Sequence, residues 1–237
     1  MKGMILAAGL GTRFRPWTES HPKALAIING KSLLQRNIEY FQRAGIYEVV
    51  VNVHHFADQV AAAVKLNKGW GSEIIISDER DAVLETGGGL KKAAPHLRDG
   101  AFALMNADIL TELDLSAMIA AHNKLSPLAT LATTDRETSR YFLFDHLDNL
   151  CGWKNNSTGE EKIIRTTADI FPRAFSGIHI IDPRIFSLMQ QEGKFSMVDV
   201  YLTLADKEII KSFGHSGTAF IDVGKPEAVS LAERFFK

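Results

Sequence analysis

A continuous apolar run, Met4–Ala8, opens the chain and leads without a polar break into Gly9-Leu10-Gly11. An apolar strand without alternation is one covered on both faces, as in a largely parallel sheet packed between helices. The glycines behind it remove Cβ atoms where backbone N–H groups would close on a phosphate. Arg13 and Arg15 follow, and Lys23 comes directly after Pro22. Cations at the exit of a glycine turn neutralise phosphate oxygens. The segment therefore predicts a grip on the phosphate tail of a nucleoside triphosphate.

Strand and helix signals alternate behind that first strand. Leu34, Ile38 and Phe41 recur at helical spacing, with Gly45 as the stop. Glu48–Val53, Glu73–Ser77, Phe102–Asn106 and Leu128–Thr133 read as strands. Phe56–Lys65, Leu90–Leu97 (broken at Pro95) and Leu115–Lys124 read as the helices between them. This rhythm means βαβ units with right-handed crossovers. The fold class predicted is α/β: a three-layer α/β/α protein on a Rossmann-like, mixed but mostly parallel sheet. Ligands of such sheets lie beyond the carboxyl ends of the strands. Gly9–Arg13, Thr86–Gly89 and Asp108 all fall there. Later, Tyr141–Lys154 reads as a hairpin turning at Asp148-Asn149, and Asn155–Lys162 as a mobile polar loop. Ala174–Ile181, Glu208–Phe213 and Ala219–Val223 read as strands, Val198–Ala205 and Pro226–Phe236 as helices.

Composition excludes several classes. A net charge of -1 creates no field for nucleic acid. No stretch approaches the ~20 apolar residues of a membrane span. Lys2 and the first apolar run are too short for a signal peptide, and Arg13 and Arg15 stand where cleavage would occur. Cys151 is the only cysteine, which rules out an intrachain disulfide and favours the cytoplasm. The eight histidines do not cluster as metal ligands.

The loop after the first strand fits neither common phosphate motif. In G-x-G-x-x-G the third glycine position is Phe14, and in G-x-x-x-x-G-K-S the leading position is Leu25. What remains is L-A-A-G-x-G-T-R-x-x-P from Leu6 to Pro16, then Pro22-Lys23. With this pattern the chain resembles the sugar-phosphate nucleotidyltransferases, which join an NTP to a sugar 1-phosphate and release pyrophosphate. The resemblance implies one domain over 1–237. Its 1–135 half would bind the NTP and its 136–237 half the sugar phosphate, with no acyltransferase or β-helix domain beyond it. It implies nucleotide contacts from Leu6, Ala8, Gly9, Gly11, Thr12, Arg13, Lys23, Gly87 and Asn106. Arg13 would stabilise the leaving pyrophosphate and Lys23 the α-phosphate.

Asp108 and Asp222 each end an apolar strand. Two such carboxylates suit Mg²⁺, which takes one or two carboxylates and completes its octahedron with water and phosphate. Each alone also reads as a helix or turn cap. The resemblance assigns both to the metal. Gly87-Gly88-Gly89 is costly in backbone entropy. It reads either as a place where something flat passes close to the chain or as a flexible helix start. The resemblance puts base or sugar there and implies sugar-phosphate contacts from Gly88, Lys154 and Gly177. Trp153-Lys154-Asn155 stands where many relatives carry E-K-P, so the family's glutamate is absent.

Within the family, L-E-T-G-G-G at Leu84–Gly89 is most similar to the uridylyltransferases acting on N-acetylmuramate 1-phosphate. Mannose-1-phosphate guanylyltransferases, using GTP, come second, and glucose-1-phosphate thymidylyl- and cytidylyltransferases third. A catalytically inactive nucleotide-sugar-binding regulatory protein is the alternative of a different class. It would be expected to lack Arg13, Lys23 or an aspartate, and all are present. The expected partners are NTP and sugar 1-phosphate, with no nucleic acid or membrane, in a monomer or homodimer.

Overall fold

The structure, a computed structural model, describes residues 1–237. β1 (Lys2–Leu6) runs into a long loop, which ends in the small hairpin β2 (Ile27–Ile28) and β3 (Lys31–Ser32). Ser32 then caps α1 (Leu33–Arg43), its hydroxyl accepting from the Gln35 N–H at 3.1 Å. Next come β4 (Glu48–Val53), α2 (Ala57–Leu66), β5 (Glu73–Asp78) and α3 (Glu85–Ala93). They are followed by β6 (Phe102–Asn106), β7 (Ile109–Thr111), α4 (Leu115–Leu125) and β8 (Ala129–Thr134). A meander of β9 (Arg140–Phe144), β10 (Leu150–Asn155) and β11 (Glu160–Ile163) leads to the long β12 (Phe171–Ile181). The chain closes with α5 (Ile185–Leu188), α6 (Met197–Leu204), β13 (Ile210–Gly214), β14 (Phe220–Asp222) and α7 (Glu227–Phe235).

The core sheet runs β5-β4-β1-β6-β12-β8-β13, and β12 alone runs against its neighbours. Strand residues alternate between its two faces. Met4, Val50, Phe102 and Leu104 pack with α3, α5 and α6; Ile5, Val49, Val51, Ala103 and Met105 pack with α1, α2 and α4. The result is the three-layer α/β/α arrangement. After β1 the chain goes to β4 on one side, while β6 flanks β1 on the other. The ends of β1 and β6 are thus the topological switch point, where such sheets bind ligands. β12 lies between β6 and β8, so residues beyond 136 share this sheet with those before it.

A third cluster ties the loop after β1 to the end of the chain. Phe14, Ile28, Leu33, Leu110, Ile221, Val223 and Phe236 are among its nine buried members. Phe14 is therefore an anchor, which is why a bulky ring replaces the third glycine of the dinucleotide motif.

Two expectations require correction. The helix expected at Leu90–Leu97 begins at Glu85 and takes in all three glycines. Its propensity is poor, but tertiary packing overrides propensity. The segment expected to be a mobile loop, Asn155–Lys162, runs from the last residue of β10 into β11, which pairs antiparallel with β10. Its residues are all exposed, so it lacks the alternation that marks a half-buried strand. No helix is long and apolar enough to cross a membrane.

Candidate active site

A cleft of ≈430 Å³ opens at the ends of β1 and β6. Of the expected nucleotide contacts, Leu6, Ala8, Gly9, Gly11, Thr12, Arg13, Lys23 and Asn106 line it, as does Asp108. The two loop glycines have different surroundings. A Cβ on Gly9 would meet nothing within 4 Å, so its backbone faces open cleft. Gly11 adopts φ +60, and a Cβ there would lie 2.8 Å from Thr18 and 3.3 Å from the Lys23 side chain. Thr18 donates its hydroxyl to the Gly11 carbonyl at 2.8 Å. Gly11 thus folds the loop back so that Lys23 is carried under it.

The Lys23 ammonium donates to Asp108 Oδ2 at 2.6 Å, with both side chains largely buried. Asp222 arrives through a second pairing. β14 runs antiparallel to β7 with Asp222 opposite Ile109, and the Val223 N–H donates to the Asp108 carbonyl at 2.8 Å. That register sets the two carboxylates side by side. Partial burial pushes the Asp222 carboxyl up from its ordinary range, and the Asp108 carboxylate adds to the effect. Lys23, Arg13 and Arg136 pull it the other way. Arg13 is exposed and reaches Gly224, where a Cβ would lie 3.2 Å from its Nη2 and 2.7 Å from Asp222 Oδ1. Arg13, Lys23, Asp108 and Asp222 therefore converge at one rim of the sheet.

The glycines of the second loop sit elsewhere. Gly87, Gly88 and Gly89 are buried in α3 and do not line the cleft. A Cβ on Gly87 would lie 2.4 Å from the Phe195 ring, one on Gly88 2.3 Å from the Gly193 carbonyl oxygen, and one on Gly89 2.7 Å from Asn52 and Glu79. The Gly87 and Gly88 N–H groups donate to the Phe195 carbonyl at 2.9 and 3.3 Å. What passes close to these glycines is the protein's own 193–195 segment. The neighbouring Glu85, Thr86 and Ser196 line the cleft instead. Gly177 is buried at a break in the pairing of β12 with β8, at φ +71, against the Asn106 amide. Lys154 lies on β10 with its ammonium 5.5 Å from the Tyr141 ring centroid, outside the cleft lining.

Asn52 and Glu79 were not singled out by the motif reading. Asn52 Oδ1 accepts from the Ala7 N–H at 2.7 Å, and its amide donates to Glu79 Oε1 at 2.8 Å. Glu79 is 1% exposed, its Oε2 has no partner, and burial raises its pKa. This pair fixes the backbone where β1 enters the glycine loop. The legible signal for Asn52 was a lone polar residue in the apolar run Val49–Val53.

Residues 2–144 match the nucleotidyl transferase family. The chain belongs to that family. This sugar-phosphate nucleotidyltransferase is 33% identical over 97% of its length to an N-acetylmuramate α-1-phosphate uridylyltransferase of Caulobacter vibrioides, of which 94% is covered. It is 28% identical over 96% of its length to a mannose-1-phosphate guanyltransferase of Yarrowia lipolytica, of which it spans 61%. Among solved structures, HddC from Yersinia pseudotuberculosis, complexed with GMP-PN, superposes with a TM-score of 0.79 at 25% identity, covering 100% of this chain and 99% of that one.

Proposed function

We propose that the enzyme transfers a uridylyl group from UTP to N-acetylmuramate 1-phosphate, releasing pyrophosphate and a UDP-sugar. The observation that carries the transferase chemistry is the convergence of Arg13, Lys23, Asp108 and Asp222 beside the Gly9–Gly11 loop. The subtype rests on the Caulobacter relative, which matches over nearly its whole length. A guanylyltransferase using mannose 1-phosphate is the second reading, favoured by the guanine nucleotide in the HddC complex. The inactive regulatory alternative finds no support, because no charged residue of the cluster is missing.

Nucleotidyl transfer is limited by charge crowding and alignment, so positioned charges supply most of the catalysis. In this reading the Gly9 backbone lies along the triphosphate. Arg13 grips the β- and γ-phosphates and steadies the leaving pyrophosphate. Lys23 leaves Asp108 for the α-phosphate as charge develops there.

Asp108 and Asp222 would hold Mg²⁺. No group of three or more His, Cys, Asp or Glu side chains clusters for a metal, but this ion needs only one or two carboxylates. The fit is electrostatic: partial burial and then the neighbouring Asp108 carboxylate raise the Asp222 pKa, and a divalent cation reverses that penalty. Bound there with phosphate oxygens, Mg²⁺ would neutralise charge on the reacting phosphates.

The 1–135 half then carries the nucleotide and the 136–237 half the acceptor, with Gly177 and Lys154 on the acceptor side and Asp222 as the late metal ligand. We place the enzyme in the cytoplasm, consistent with its single buried cysteine, as a monomer or a homodimer. The test is pyrophosphate release across a matrix of NTPs and sugar 1-phosphates with Mg²⁺. The UTP and N-acetylmuramate 1-phosphate pair is expected to give the highest kcat/KM. Highest turnover with GTP and mannose 1-phosphate would replace the first reading by the second, and no pyrophosphate from any pair would refute both.

A further inference from the structure

Arg136 has no part in any motif of the sequence, yet it lies within the field of Asp222. Its guanidinium carbon lies 4.7 Å from the centroid of the Phe220 ring, a cation–π stack. Nη2 donates to the Phe175 carbonyl at 2.7 Å. No carboxylate lies within salt-bridge distance of it, although it is half-buried. The acid whose field acts on it is Asp222. A partly desolvated guanidinium without a counter-ion is an electrostatic vacancy for an anion.

The order along one segment gives that vacancy a direction. Phe220 and Asp222 share one side of β14, and a Cβ on Gly224 just beyond its end would lie 2.7 Å from Asp222 Oδ1. Arg136 stacks on the first and Arg13 reaches the third, with the Asp222 carboxylate between them. The four-residue step from Phe220 to Gly224 spans at most about 13 Å, room for two phosphate groups with a reacting phosphorus between them. Arg136 is also tied to the Phe175–Gly177 bulge, and Gly177 abuts the cleft residue Asn106. Two independent connections therefore bring Arg136 to the same rim.

In phosphoryl and nucleotidyl transfer the attacking and leaving oxygens are in line across the phosphorus. Arg13 lies on the leaving-group side in the function proposed above, on which this inference rests. We infer that Arg136 binds the phosphate of the sugar 1-phosphate and presents its oxygen for attack from the opposite side. That oxygen forms the new bond to the α-phosphorus as the bond to pyrophosphate breaks. No proton need move, because a sugar phosphate is already ionised. The stack on Phe220, the bond to Phe175 and a 3.5 Å bond from Nη1 to the Thr134 hydroxyl hold the planar fork still and leave its remaining N–H groups for the ligand.

The experiment is steady-state kinetics of wild type, Arg136→Gln and Arg136→Lys. It uses the sugar 1-phosphate and NTP that the wild-type enzyme consumes fastest, each varied at saturating levels of the other. Removing a charge-assisted bond is expected to raise the KM for the sugar 1-phosphate about tenfold or more. The KM for the NTP should stay within about twofold, and the lysine variant should recover part of the loss because it keeps the charge. A merely structural arginine predicts something else: both KM values shift together, or only the thermal midpoint falls. Either pattern, or an unchanged acceptor KM, overturns the inference while leaving the proposed reaction standing. If Arg136→Gln does not fold, the same split in the lysine variant decides. A wild-type enzyme that consumes no sugar 1-phosphate overturns the proposed function and this inference together.

Discussion

The chain carries two glycine-rich segments, one lining the cleft and one buried behind it in α3, and they do opposite jobs. Gly9 faces open space, whereas Gly88 is pressed against the Gly193 carbonyl. In the first, the missing Cβ leaves room for a ligand. In the second, it lets α3 pack against the 193–195 segment. That contact sets Glu85, Thr86 and Ser196 in the lining of the cleft that Arg13 and Lys23 also line. Glycine by itself reports close approach and does not say to what. The distinction lies in which elements the sheet order brings together.

The largest effect expected from breaking this comparison is on Gly88→Ala. A Cβ 2.3 Å from a carbonyl oxygen cannot be relieved by a side-chain rotation, because the obstacle is backbone. Urea unfolding should show a loss of about 3 kcal/mol or complete loss of folded protein. Asp222→Asn should change activity instead of fold, with the Mg²⁺ concentration for half-maximal turnover rising about tenfold or more. An unmoved metal titration would assign Asp222 a structural role.

The same variant has a pH signature in the free protein. The folded Asp222 pKa is raised above its ordinary value of 3.8, so its ionisation destabilises the fold as pH rises through that value and beyond. Asp222→Asn should therefore raise the thermal midpoint at neutral pH, with the gain vanishing below the ordinary aspartate range. A constant gain at all pH values would trace it to something other than charge. Gly9→Ala is expected to perturb stability least, by under about 0.5 kcal/mol, while weakening NTP binding several-fold. Equal destabilisation in Gly9→Ala and Gly88→Ala would erase the contrast between the two loops.

Much of the arrangement is legible in the sequence. The apolar strands β1, β4 and β6 are continuous runs whose ends put Gly9, Asn106 and Asp108 in one place, and periodicity alone reveals them. The role of Gly87–Gly89 was not legible, because their partners are the 193–195 segment, Asn52 and Glu79. A local pattern cannot encode contacts that distant. β11 escaped for another reason: an exposed edge strand has no buried face to impose alternation. Arg136 escaped because nothing around it in sequence marks it. Its meaning comes from Phe220 and Asp222, whose segment is brought near by the pairing of β8 with β13 and the Asp135–Ser216 bonds beyond it.

The central claim is that the loop after β1 and the carboxylate pair act on one triphosphate, with Lys23 passing from Asp108 to the α-phosphate as charge develops. The most direct test is Lys23→Ala, measured for NTP affinity by calorimetry and for kcat by pyrophosphate release. Transition-state stabilisation by Lys23 predicts a kcat lowered about 100-fold or more, with an NTP Kd changed by less than about fivefold. A kcat close to wild type would contradict it, as would a loss confined to NTP binding.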